Sequence, residues 1–135
     1  MKTNRTMPEA SIIPELGYED VGAAIDWLCE AFGFRVRWRA GDHRAQLAFG
    51  NGCIAVTERT YVTAARSLLV RVDDVDAHHA RASAHGARIL AEPSDYPYGE
   101  RQYSAEDPGG NGWTFSESIA DVEPEDWGGT TVDLG

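Results

Sequence analysis

Lysine is all but missing from this chain of 135 residues: eleven of the twelve basic residues are arginine, and only Lys2 is lysine. Basic charge of any kind is scarce against 22 acidic residues. The net charge of −10 and pI near 4.7 exclude nucleic acid, whose phosphates such a surface repels. Cysteine is nearly absent too. Cys29 and Cys53 are too few for a disulfide framework and lack metal-site spacing, so they read as reduced packing residues. No window reaches the roughly eighteen apolar residues of a membrane span. The stretch Met1 to Pro8 is polar and lacks the apolar core of a secretion signal, so a cytoplasmic location away from membranes is expected. There is no Gly-x-Ser-x-Gly elbow, no local signature pairing Cys with His, and no Gly-rich loop leading into a helix. Gly109-Gly110 sits between two strands, where no helix N-terminus follows to hold a phosphate.

What is present is a duplication. Tyr18-Glu19-Asp20-Val21 opens an apolar-periodic stretch ending at Gly33-Phe34, and Val72-Asp73-Asp74-Val75 opens another ending at Gly86-Ala87. Residue 72 lies 54 positions after residue 18, and Gly86 lies 53 after Gly33. One such unit cannot close a core alone; its copy supplies the other half, and the space between halves is a natural ligand site.

The periodicity predicts a strand over 11–17 and a helix from Asp20, its N-cap, to Gly33, with Val21, Ala24, Ile25, Leu28 and Phe32 on one stripe. Strands follow at 34–39, with Val36 and Trp38 on one side, at 44–49, and at 53–57 after the Gly50-Asn51-Gly52 turn. A connection over 58–66 leads to the same order again: strand 67–72, helix 74–85, then strands 87–91, 101–106 and 112–116. A Pro- and Tyr-bearing loop over 92–99 and the turn Asp107-Pro108-Gly109-Gly110-Asn111 separate the last three. The expected fold is α+β: two tandem βαβββ modules (about 11–58 and 67–117) forming a curved, mostly antiparallel sheet with helices outside. Residues 1–10 form a tail, 11–117 one domain, and 118–135 a second, acidic tail. The second helix carries His78 or His79 where bulk apolar residues would pack. Alternation puts the bulky rows (Ile54 and Val56; Leu68 and Val70; Trp113 and Phe115) under the helices, and leaves small or polar residues on a concave face.

The order of elements, the Asp-Val helix starts, the segment Tyr98-Gly99-Glu100-Arg101-Gln102-Tyr103, the Asp107-Pro108 turn and Trp113-Thr114-Phe115 resemble the glyoxalase/bleomycin-resistance/dioxygenase (vicinal oxygen chelate) superfamily, in its glyoxalase-like branch. The resemblance spans residues 11 to 117. It implies paired βαβββ modules, commonly a homodimer, and in the enzymes a divalent metal held by His, Gln or Glu from the first, fourth, fifth and last strands. Those positions match Ile13, Ala55, Ser67 and Thr114, which offer no imidazole or carboxylate, and a slip of one residue finds no ligand either. No metal and no cofactor are therefore expected.

The leading reading is a metal-free small-molecule-binding protein, possible antibiotic or toxic-compound sequestration by stoichiometric capture, with a cationic ligand drawn by the acidic surface. Its ligand-lining candidates are Trp38, His43, Ala55, Leu69, Tyr98, Arg101, Tyr103 and Thr114. The alternative is a glyoxalase-like lyase or isomerase, or a dioxygenase-type enzyme, with a displaced metal site, or an acid/base catalyst using Glu15, His43 or Arg101. A third reading, partner interaction through the acidic tail, rests on Asp121, Glu123, Glu125, Asp126 and Asp133. Solubility charge is the plain account of the same residues.

Overall fold

The computed structural model describes residues 2–60, 66–131 and 133. Part of the predicted 58–66 connection and the end of the acidic tail therefore lie outside the described residues. In chain order the elements are β1 (Glu15–Tyr18), α1 (Val21–Trp27), β2 (Arg35–Ala40), β3 (Arg44–Phe49), β4 (Gly52–Glu58), β5 (Ser67–Arg71), α2 (Val75–Ala84), β6 (Arg88–Tyr96), β7 (Glu100–Glu106) and β8 (Gly112–Ser118). A π-helical turn, Leu28–Phe32, extends α1, and a 3-10 turn, Pro124–Trp127, lies in the acidic tail. The two βαβββ modules are present as the duplication requires.

The eight strands divide into two four-stranded sheets, ordered β1-β4-β3-β2 and β5-β8-β7-β6. In each, the first strand runs parallel to the last and the remaining pairs are antiparallel. Asp20 and Asp74 cap their helices, accepting from the backbone N–H of Ala23 and Ala77, which is why both copies open on Asp-Val. Gly33 ends the first helical stretch at φ 86°, a left-handed value only glycine adopts freely.

Both helix-covered sheet faces meet in one core. Phe32, delivered by the π turn, packs edge-on against Trp113 and Phe115 of the other module at 5.4 and 4.8 Å. Leu16, Ile25, Leu28, Leu47, Val56, Val75, Trp113 and Phe115 are all essentially inaccessible.

Three local expectations change. The region 92–96 is strand rather than loop: β6 runs on to Tyr96 through two register irregularities, and Pro93 is tolerated because β6 is a sheet edge. Val36 and Trp38 do not share a side, because a bulge lies between them: Val36 pairs with Leu47, and Trp38 pairs with Gln46. The first strand begins only at Glu15, with the Pro14 carbonyl accepting from the Ala55 N–H just before it.

The polar seam between the modules is the Asp107–Asn111 turn. The buried Asp107 carboxylate accepts from the Tyr18 hydroxyl (2.6 Å), the Trp113 indole N–H (3.0 Å) and the backbone N–H groups of Gly109 and Asn111. Burial and the neighbouring Asp107 charge push the Tyr18 phenol far above its ordinary range. Arg59 donates to the Gly109 carbonyl at 2.8 Å, and Asn111 accepts the Arg66 N–H at 2.8 Å.

Candidate functional site

Between the modules lies a cleft of about 760 Å³, within the usual range for small-molecule sites. The turn joining β3 and β4 forms one wall, β5 and the start of α2 the other. Its aromatic floor is Phe34, Phe49, Trp113 and His78. Phe34 stands 5.4 Å from Phe49 and 5.5 Å from Trp113, ring to ring, both at steep angles. Charge is confined to the rim and balanced there: Arg71 and Arg81 against Asp73 and Asp74. Arg81 is turned to module one, donating to the carbonyls of Glu30 and Cys29, and Asp74 is occupied in capping α2.

His78 fixes this floor. Its Nε2 lies 2.8 Å from the Phe32 carbonyl, which can only accept, so Nε2 carries the proton; Nδ1 therefore accepts from the Tyr103 hydroxyl at 2.6 Å. The ring lies 4.0 Å from that of Phe115. Burial holds its pKa below the ordinary histidine value, so the imidazole is neutral. The helix stripe gave one signal of this, a histidine where an apolar residue was due, but not its partners.

The cleft opens at Leu69 and Arg71 onto the face of module two turned away from α2. Strand register aligns Leu69 with Thr114 and Ser104, and Arg71 with Ser116 and Gln102. The row is knitted by hydrogen bonds: Ser104 with Thr114 (2.8 Å), Gln102 to Ser116 (3.0 Å), Ser116 to Glu100 (2.7 Å) and Tyr98 to Gln102 (3.1 Å). Bonds from Ser118 and Ser116 hold the Glu100 carboxyl below its usual range. Tyr96 stacks on Tyr98, and Trp127 from the acidic tail meets Tyr98 edge-on at 5.8 Å.

The structure brings three of the ligand-lining candidates to this face, Leu69, Tyr98 and Thr114. Ala55 lies on the corresponding face of module one, between Glu15 and Gln46, and is buried there. Trp38 is on the same sheet, its indole N–H donating to the Thr6 carbonyl. His43 is apart from all of these, on the rim of a small 260 Å³ hollow with Arg44, Thr57 and Glu58; Glu58 bonds it at 2.6 Å and raises its pKa. Two candidates are corrected. Tyr103 pairs with Phe115 on the helix side and is buried in the core. Arg101, two residues earlier, shares that side and pairs with Asp76 and Asp95 at 3.1 and 2.9 Å. In both cases strand parity, not residue type, decides the face. Glu15 is an exposed partner of Arg44. Sequence reasoning missed Phe34, Phe49 and His78, because nothing local marks which core residues border a gap.

The positions that would hold a divalent metal in such a scaffold carry Ile13, Ala55, Ser67 and Thr114, a donor set that does not fit one. Among the described residues no three His, Cys, Asp or Glu side chains converge. Both cysteine thiols are pushed up by burial, as packing residues should be.

Fold and site together define a duplicated βαβββ domain with a ligand-sized cleft at the junction of its halves. The chain belongs to the Glyoxalase/Bleomycin resistance protein/Dioxygenase superfamily, whose profile matches residues 12–115. Among solved structures it is similar to TioX from Micromonospora sp. ML1, at 34% identity and a TM-score of 0.75, over 82% of this chain and 99% of that one. It is also similar to TnmS3, an antibiotic binding protein from Streptomyces sp. CB03234, at 27% identity and a TM-score of 0.67, over 83% of this chain and 99% of that one. A lactoylglutathione lyase from Agrobacterium tumefaciens shares the fold at 17% identity, with a TM-score of 0.69 over 92% and 100% of the two chains. No curated protein sequence matches the chain at a significant level. No helix among the described residues is long and apolar enough to cross a membrane.

Proposed function

We propose that this protein captures a small molecule in the inter-module cleft, without a metal centre and without turning the molecule over. The observation that carries the reading is the cleft itself: a ligand-sized, aromatic-floored space in which His78 and Arg81 are already partnered within the protein and Asp73 stands exposed on the rim. Such a site removes apolar surface from water, and the one imidazole in its floor has both ring nitrogens engaged, so it is not available to a bound molecule as acid or base. The likeness to TnmS3, an antibiotic binding protein, supports sequestration as the biological use. The balanced rim gives no local preference for a cation; the net charge of −10 acts only as a distant attraction. We further infer that two copies pair at the seam, because Ile12 and Leu69 stand 83% and 64% exposed beside the cleft.

The test uses N-phenyl-1-naphthylamine, a neutral aromatic probe that fluoresces on leaving water. One probe per chain is expected to bind, with unchanged affinity in EDTA. Ala77→Trp places a bulky ring in the cleft mouth from an exposed helix position and is expected to abolish binding while the fold persists. Binding unaffected by Ala77→Trp, or tight uptake of Zn2+ or Ni2+ by calorimetry with turnover that chelators remove, overturns the proposal.

A further inference from the structure

The acidic tail folds back onto the protein. After β8 the backbone N–H groups of Ile119 and Ala120 both donate to the Gly99 carbonyl in the β6–β7 turn, at 2.8 and 3.2 Å. The 3-10 turn Pro124–Trp127 follows, closed by a capping box in which the Glu123 and Asp126 side chains each accept the other's backbone N–H. The Glu125 carboxylate accepts from the Thr131 N–H and hydroxyl at 2.6 and 2.8 Å, bonds that hold its pKa below the ordinary value.

This order delivers Trp127 to Tyr98, edge-on, while Tyr96 at the end of β6 stacks on Tyr98 at 5.4 Å. Tyr98 is half-buried in the group, whereas Tyr96 and Trp127 stand 39% and 45% exposed. β6 is the outer strand of its sheet, at the opposite edge from β5 and the cleft.

The charge around these rings is of one sign. No lysine, arginine or histidine follows Arg101 in the sequence. Among the described residues no basic side chain pairs with Asp121, Glu123, Glu125 or Asp126, whereas Glu15, Asp76 and Asp95 each have an arginine. A charge that served solubility alone would need neither carboxylates fixed by hydrogen bonds nor a half-exposed indole and phenol beside them. Aromatic faces attract cations, and a guanidinium adds stacking and a planar fork that fits carboxylates; an ammonium offers a point charge. The acids are spread along residues 121–126 rather than gathered at one point, which suits several cations carried in a row.

We propose that the tail and the β6–β7 turn form an interaction surface for a partner protein segment bearing several arginines. Trp127 and Tyr96 receive the flat faces of the guanidinium groups, and the tail carboxylates take their edges. This surface is separate from the cleft and stands whether or not the cleft binds a small molecule.

The test titrates the peptide acetyl-Arg-Gly-Arg-Gly-Arg-amide into the full chain, following the Trp127 indole resonance by NMR. Binding is expected to shift that resonance and to weaken about tenfold between roughly 20 and 200 mM salt. The peptide with lysine in place of arginine is expected to bind about three- to tenfold more weakly. Trp127→Phe is expected to weaken binding of the arginine peptide about two- to fivefold. Asp121→Asn combined with Asp126→Asn removes charge but keeps the capping acceptor, and is expected to weaken it about tenfold. Unchanged hydrogen exchange at Ile119 and Ala120 shows that the tail is still seated in that variant. No indole shift at millimolar peptide, equal affinity for the lysine peptide, or unchanged affinity in the double variant each overturns the proposal. Self-association of the chain that the arginine peptide relieves makes a second copy the occupant, and overturns it as well.

Discussion

Replacing His78 with phenylalanine isolates the polar part of the bolt that joins the modules beneath the cleft. The new ring keeps the packing on Phe115 but leaves the Phe32 carbonyl without its partner and the Tyr103 hydroxyl with only a long contact, 3.5 Å, to the backbone carbonyl of position 78. Each orphaned group costs about 1–3 kcal/mol, so the substitution should destabilise the fold by about 2–5 kcal/mol. That is a large share of the roughly 5–15 kcal/mol typical of a domain. Urea unfolding at pH 7.5 measures it. A double-mutant cycle with Tyr103→Phe removes one orphan, so the second change should cost about 1–2 kcal/mol less in the His78→Phe background than in the wild type. The pH dependence follows from the same geometry. Burial lowers the folded pKa, so the unfolded chain takes up the proton first, and stability falls as pH drops through the unfolded value of about 6.5 and below. His78→Phe should lack that component of the loss between pH 7.5 and 5. Equal pH dependence in the two proteins, or a substitution that costs nothing, refutes the role given to His78.

Asp107→Ala strands the Tyr18 hydroxyl, the Trp113 indole and two backbone donors in the seam, and should cost about 3–5 kcal/mol by thermal unfolding; Asp107→Asn, which keeps an acceptor, should cost less. Gly99→Ala puts a methyl 2.4 Å from the Ala120 carbonyl at a φ of 81°, so the acidic tail should detach there, and faster limited proteolysis of residues 119–130 reads this out. Glu58→Gln should bring the His43 titration, followed by NMR, down towards the ordinary histidine value, because Glu58 is what raises it.

The fold was legible because both copies of the module carry their own punctuation. Asp20 and Asp74 cap, Gly33 terminates, and Asp107-Pro108-Gly109-Gly110-Asn111 turns, each for a reason local to a few residues. The site was legible only where strand parity is unbroken. Leu69 and Thr114 come together as alternation requires, with Tyr98 reaching their face from the turn between β6 and β7, whereas Trp38 is parted from Val36 by a bulge that no residue near Arg37 announces. Tyr103 and Arg101 were chosen for their chemistry, against a parity that sets them beside Phe115 and Asp76. The cleft floor was illegible for another reason. Phe34 and Trp113 are core, and Phe49 packs half-buried against it; a gap beside them is a property of how two modules meet, which no single segment encodes.

The two outermost strands bear on how copies of this chain can add to one another. β2 carries Arg35, Arg37 and Arg39 and a bulge, while β6 carries Pro93 and two irregularities of register. Such edges make poor templates for another strand. The free sides of β1 and β5 carry no such bulge or internal proline; β5 itself lines the cleft, and Ile12 and Pro14 line it just ahead of β1. Sheet growth is thereby blunted at the periphery and left open only at the centre, so any pairing of chains through their backbones is directed to the place where the ligand would be enclosed.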